Sequence, residues 1–328
     1  MGKIAFIYPG QGSQKTGMGK DFYENSPAAK KVYDSANEQL DFDLLKLCFE
    51  TNTESDENNE MTSSKERFPN ESEPDINDTK FTQPALVATC LAITNHLFAE
   101  NIRPDITAGL SLGEYAAIAA AGGIDDIDAV SLVRKRGIYM DSAVPNNAGS
   151  MMAILGMTGD EVENVVKDID DVSVANYNCP GQIVITGKKQ AVLSAGEILK
   201  CAGAKRTIEL NVSGPFHSKY LIPAGEKLKN NLDEIKWQKL NIPYVTNVDA
   251  KEVHDISRTK DLLEKQVSSS VMWEQSMRNM IDGGVDTFVE IGPGKTLTGF
   301  LRKIDRNVAA YNVSSFEDVE VLKEKLLK

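Results

Sequence analysis

Gly109-x-Ser111-x-Gly113 is the first arrangement in this sequence with the type and spacing for covalent chemistry. It stands between an apolar run, Asp105 to Ala108, and an alanine-rich stretch, Ala116 to Ala121. In such a strand-turn-helix context, G-x-S-x-G forms a sharp bend that lifts the serine hydroxyl to the head of a helix, and the glycines are needed because the bend leaves no room for a Cβ. The plain alternative is an ordinary Gly-Ser turn. A serine hydroxyl also needs a base, usually histidine near neutral pH. Of the three histidines, His96 lies in an apolar helical stretch and reads as structural, while His254 sits among Asp249, Glu252 and Asp255 in a solvated turn. His217, in Ser213-Gly214-Pro215-Phe216-His217-Ser218, is placed where a glycine and a proline precede a helix, either to present the imidazole or merely to cap that helix.

Acyl transfer further requires donors for an oxyanion, and backbone N–H groups at a loop and a helix start serve that purpose. Leu112, after the serine, is one candidate, and the turn Gly10-Gln11-Gly12 is a source for the other. Two nucleotide readings fail: Lys15 stands where a dinucleotide fingerprint needs its third glycine, and Val289 where a P-loop ending in Gly294-Lys295-Thr296 needs its first. The run Arg134-Lys135-Arg136 is by composition either a solvated face or a functional cluster.

These residues need elements to hold them. Lys3 to Tyr8 reads as a buried strand, Pro27 to Phe49 as helical, Thr82 to Glu100 as a long helix, Asp286 to Ile291 as a strand and Glu317 to Leu327 as a closing amphipathic helix. From Gly149 to Leu210 the order is strand (151–155), helix (159–168), strand (172–177), turn at Pro180-Gly181, strand (183–186), helix (190–202) and strand (206–210). That βαββαβ order is the ferredoxin-like unit. The expected architecture is an α/β domain, residues 1–148 and 211–328, interrupted by a small α+β domain at 149–210. Residues 51–78 are rich in Asn, Ser, Glu and Asp with few apolar side chains, and are expected to form a mobile acidic loop.

The 328 residues carry a net charge of −12, which opposes broad binding to nucleic acid or anionic lipid. No apolar stretch approaches the roughly 18 residues of a membrane helix, and Ile4 to Tyr8 is too short for a signal-peptide core. Phe6 also stands where myristoylation wants Ser or Thr. Cys48, Cys90, Cys179 and Cys201 form no C-x-x-C pair, so no disulfide framework or zinc knuckle is indicated and a reducing cytoplasm is expected.

With these residues in hand, the sequence resembles the malonyl-CoA:acyl carrier protein transacylases over nearly its whole length. The matching segments are Phe6 to Gln14, Thr82 to Leu86, Gly109 to Tyr115, Arg136 to Met140, Asn176 to Gln182, Gly214 to Ser218 and Glu290 to Gly299. The family fold is a hydrolase-like α/β domain with a parallel sheet plus a ferredoxin-like insert. The resemblance implies that Ser111 takes a malonyl group from malonyl-CoA as an ester and that the phosphopantetheine thiol of acyl carrier protein removes it, with His217 as base and then acid. It implies backbone oxyanion donors at Gln11 and Leu112, Arg136 as the grip on the malonate carboxylate, a Gln266 main-chain carbonyl that orients the histidine, and no cofactor or metal. Phe216 resembles the malonyl-selective pattern. The sequence departs from the family at Leu110, Asp141 and Ser270, none of them an implied catalytic group. A thioesterase or esterase would share the elbow and histidine, a polyketide acyltransferase acting in trans would share the chemistry, and a noncatalytic scaffold would share only the fold. Lys188, Lys189, Lys205 and Arg206, or Arg302, Lys303 and Arg306, are the candidate basic patches for an acidic carrier.

Overall fold

In chain order the strands are β1 (Lys3–Tyr8), β2 (Ile106–Gly109), β3 (Gly149–Leu155), β4 (Val172–Cys179), β5 (Gln182–Lys188), β6 (Arg206–Glu209), β7 (Tyr244–Val245), β8 (Glu252–Val253), β9 (Val285–Ile291) and β10 (Ala309–Val313). They come from a computed structural model that describes residues 2–50, 74–145, 148–212 and 214–327. Most of the expected acidic loop, 51–73, lies outside the described residues.

Six strands form one sheet in the order β10-β9-β1-β2-β7-β8, parallel except for the β7/β8 pair. Parallel strands covered on both faces read as unbroken apolar runs. β1 does so: Phe6 and Tyr8 join one buried cluster, and Ala5 and Ile7 join the cluster on the opposite face. Tyr8 pairs with Gly109, so the loops after β1 and β2 leave the sheet side by side at its carboxyl edge, where open α/β sheets place their ligands.

The other sheet is antiparallel, in the order β4-β5-β3-β6. Its crossover helices, Gly159–Val166 and Lys189–Cys201, complete the ferredoxin-like βαββαβ unit. The first is set by a capping box between Thr158 and Glu161. Strand β4 runs two residues and β5 one residue further toward the tight turn at Pro180-Gly181 than the apolar pattern suggested, because that turn, with Gly181 at φ 77°, keeps Cys179 paired with Gln182; at its far end β5 continues to Lys188, which pairs with Gly149.

The central helix, Thr79–Ala99, is buried on nearly every side. It starts three residues before the sequence suggested, which leaves Pro84 inside it. Proline has no N–H for the Lys80 carbonyl one turn back. Arg134 supplies the missing donor, with Nη1 2.9 Å from that oxygen. Residues 74–78 of the expected loop form a turn onto this helix, and Thr82 Oγ1 donates to the Ile76 carbonyl. No helix among the described residues is long and apolar enough to cross a membrane.

Candidate active site

The serine stands where β2 turns into the helix Gly113–Ala120. A Cβ on Gly109 would lie 1.9 Å from the Gly113 carbonyl carbon, and one on Gly113 would lie 2.4 Å from the Tyr8 carbonyl oxygen. Both glycines are therefore required by the bend crossing itself and packing against β1. Ser111 is held at φ 54° and His217 at φ 58°, the left-handed region that non-glycine residues rarely adopt. Strain of this kind is kept where surrounding contacts over-determine it. For Ser111 the clamp is Asn247: its Oδ1 accepts from the Ser111 N–H at 2.6 Å and its Nδ2 donates to the Gly109 carbonyl at 2.6 Å.

Ser111 Oγ lies 2.8 Å from His217 Nε2. On the far side of the ring, Nδ1 lies 3.0 Å from the carbonyl oxygens of both Gln266 and Ser269. Carbonyls only accept, so Nδ1 carries the proton and Nε2 turns its lone pair to the serine hydroxyl. His217 is 4% exposed. Burial, helped by the Arg136 cation, pushes its pKa down to about 4, so the imidazole is neutral at pH 7.

Arg136 projects from the helix Asp126–Ser142 and is 1% exposed. Its Nη2 donates to Ser111 Oγ at 3.0 Å and to Gln266 Oε1 at 3.2 Å, and its Nη1 donates to Gln83 Oε1 at 2.8 Å. The solvated-face alternative for the basic run fails at two of its three positions. Arg134 is also buried, paired with Asp41 through Nε at 2.9 Å and Nη2 at 3.0 Å, and only Lys135 is exposed.

Ser111, His217 and Arg136 meet in a cavity of about 640 Å³ between the two sheets. Gln11 and Leu112 line it, and no hydrogen bond among the described residues uses either N–H. The opposite wall includes Met151, Asn176, Asn178 and Val184 of the smaller sheet. Such a space suits a substrate arm rather than a bulk macromolecule. Among the described residues no group of three or more His, Cys, Asp or Glu is placed to hold a metal ion.

The acyl transferase domain family model matches residues 5–322. Over 325 residues the chain is 43% identical to a malonyl CoA-acyl carrier protein transacylase of Bacillus subtilis, covering 98% of this chain and 96% of that protein. It superposes on the crystal structure of a malonyl CoA-acyl carrier protein transacylase from Clostridium perfringens with a TM-score of 0.88 at 39% identity, covering 99% of this chain and 97% of that one. The chain belongs to the malonyl-CoA:acyl carrier protein transacylase family. A solved malonyl-transacylase in complex with its type II PKS acyl-carrier protein is also similar, with a TM-score of 0.89 at 34% identity, covering 98% of this chain and 99% of that one.

Each of the six residues named from the sequence lies at or beside this cavity, including Gln266 through its carbonyl on His217. The other two histidines lie elsewhere. His96 is buried between Phe22 and Phe316 with Nδ1 3.0 Å from Ser26 Oγ, and exposed His254 pairs with Glu252 at 3.0 Å. Sequence reasoning missed Gln83, Glu114, Asn247 and the carbonyl of Ser269. The available signal was a polar side chain inside an apolar stretch, as for Gln83 in the central helix; nothing local pointed to the others. Of the departures from the family, Ser270 donates from Oγ to the Val174 carbonyl at 2.6 Å, Leu110 packs in the cluster with Ala5 and Ile7, and Asp141 is exposed.

Proposed function

We propose that this protein moves a malonyl group from malonyl-CoA to the phosphopantetheine thiol of acyl carrier protein, in the cytoplasm and in the service of fatty acid synthesis. His217 Nε2 takes the Ser111 proton while Oγ attacks the thioester carbon. The C–S bond breaks, the imidazolium returns the proton to the coenzyme A sulfur, and a malonyl ester remains on Ser111. The carrier thiol then repeats the cycle in reverse: it gives its proton to His217, attacks the ester, and Ser111 Oγ leaves with that proton. The Gln11 and Leu112 N–H groups face the developing oxyanion in each half. The Gln266 and Ser269 carbonyls orient the imidazole where many hydrolases use a carboxylate. Every step uses this chain's own groups, the thioester donor and the carrier thiol, with no metal or other cofactor.

The observation that carries this reading is a buried guanidinium touching the nucleophile, Arg136 Nη2 at 3.0 Å from Ser111 Oγ. A fixed cation there is costly unless the acyl group brings an anion, and a guanidinium can meet a carboxylate with two parallel hydrogen bonds. That selects an acyl group with a free carboxylate, which an ordinary esterase has no use for. In the same reading, residues 1–148 with 211–328 form the catalytic domain, and 149–210 form a separate domain that walls the substrate arm.

The test is incubation with malonyl-CoA. A mass increase on the peptide containing Ser111 is expected, together with transfer to pantetheinylated carrier far exceeding hydrolysis. Hydrolysis dominating would make the protein a thioesterase, and no stable ester would favour a noncatalytic scaffold. The solved relative bound to a polyketide carrier gives a second recipient for the same chemistry; comparing KM for the two carrier classes decides between them.

A further inference from the structure

Glu114 is a buried carboxylate that the transfer steps leave unused. It follows the serine by three residues, on the first turn of the helix Gly113–Ala120, and is 0% exposed. Its Oε2 accepts from Gln266 Nε2 at 2.7 Å and from the Asn247 N–H at 3.2 Å. Gln266 joins the whole site: its Nε2 also donates to the Ser111 carbonyl at 2.8 Å, its Oε1 accepts from Arg136, and its main-chain carbonyl accepts from His217. A carboxamide has nearly the same shape when turned over, and only its partners decide which end is nitrogen. Turned over here, its oxygen would face two acceptors, the Glu114 carboxylate and the Ser111 carbonyl. Its NH₂ would meet the guanidinium N–H of Arg136. A carboxylate is the stronger of the two acceptors that oppose this turn.

We propose that Glu114 is a positioning residue of the transfer reaction: it fixes the Gln266 carboxamide so that Oε1 faces Arg136, and thereby sets where the guanidinium meets the acyl carboxylate. The proposal rests on the reading of Ser111, His217 and Arg136 given above. Glu114 also clamps the Asn247 main chain, and Asn247 clamps the serine turn, so one side chain reaches both the nucleophile and its selectivity group. Burial pushes its pKa up to about 7. Oε1 makes neither of these bonds, so a proton placed there leaves both bonds to Oε2 intact.

The test compares kcat/KM for malonyl-CoA and for acetyl-CoA, which lacks the second carboxylate. Glu114→Met fills the same space without an acceptor, and is expected to reduce malonyl transfer at least about tenfold more than acetyl transfer. Glu114→Gln, whose Oε1 can accept the same two bonds, should restore the donor ratio to within about threefold. Adding Glu114→Met to Gln266→Met should move the ratio no further, because both act through one carboxamide. Equal losses for the two donors, or Glu114→Gln no better than Glu114→Met, would overturn the role. If Glu114→Met does not fold, Gln266→Met carries the comparison, and an unchanged ratio there overturns it. Failure of the underlying reading is separate: it appears as no malonyl ester on Ser111 in the unaltered protein.

Discussion

The two sheets cover their faces differently. The six-stranded sheet is wrapped by its own helices, so β1 is apolar from Ile4 to Tyr8 and offers nothing to a ligand except at its carboxyl end. The four-stranded sheet carries its own two helices on one face only. On β3, Met152 and Ile154 pack beneath those helices, while Met151 and Ala153 turn the other way into the core shared with the larger sheet. This period-two alternation leaves its second face as a wall of the cavity. Reacting groups therefore sit on loops and helices around the parallel sheet, and the antiparallel sheet shapes the space. The division is crossed at β4. The edge of β4 is paired by the segment at Val271, whose N–H donates to the Ala175 carbonyl at 2.8 Å, and that segment carries the Ser269 carbonyl that holds His217.

The comparison is broken most severely on the side of the reacting groups. Ser111→Ala should lower malonyl transfer on the order of ten-thousandfold and abolish the acyl-protein mass. Arg136→Ala comes next, with malonyl transfer reduced on the order of a hundredfold and acetyl transfer much less. It should also act on the base. Removing the cation lets the His217 pKa rise from about 4 toward its ordinary value, so the acid limb of kcat/KM with acetyl-CoA should move to higher pH. A limb that stays in place would mean that burial alone sets the base.

On the wall side the expected effect is stability without lost chemistry. Ile154→Ala, in the core beneath the small sheet's helices, should cost about 2–5 kcal/mol of unfolding free energy in denaturant titration, while each folded molecule still forms the Ser111 ester. The smallest effect should come from the surface. Lys188 pairs with Asp171 at 2.7 Å and Lys189 with Glu209 at 3.9 Å, whereas Arg302 and Arg306 have no carboxylate partner among the described residues. Arg302 lies in the last turn of the helix Thr296–Ile304 and Arg306 two residues beyond its end, and the first turn of that helix lines the cavity. Reversing both to Glu should raise KM for the acidic carrier several-fold at low salt, an effect that fades as salt is added, while KM for malonyl-CoA stays within about twofold. A matching change for the coenzyme A donor would place the patch on the wrong substrate.

The sequence by itself determined what local sterics and periodicity dictate. The serine bend was legible because two glycines and a serine within five residues, between a strand and a helix, leave few other conformations. The ferredoxin-like segment was legible because strand and helix periods alternate there without interruption. Only the tertiary structure decided which basic side chain reaches the nucleophile, since Arg134 and Arg136 are both buried arginines and differ in what they meet, Asp41 and the Lys80 carbonyl for one, Ser111, Gln83 and Gln266 for the other. Asn247, Glu114 and the Gln266 side chain were invisible for a related reason: their hydrogen bonds to the serine turn and to each other join residues more than a hundred positions apart. A polar residue reveals its partner only when the chain has closed that distance, and the carboxamide of Gln266 acquires a direction only when carboxylate, carbonyl and guanidinium surround it.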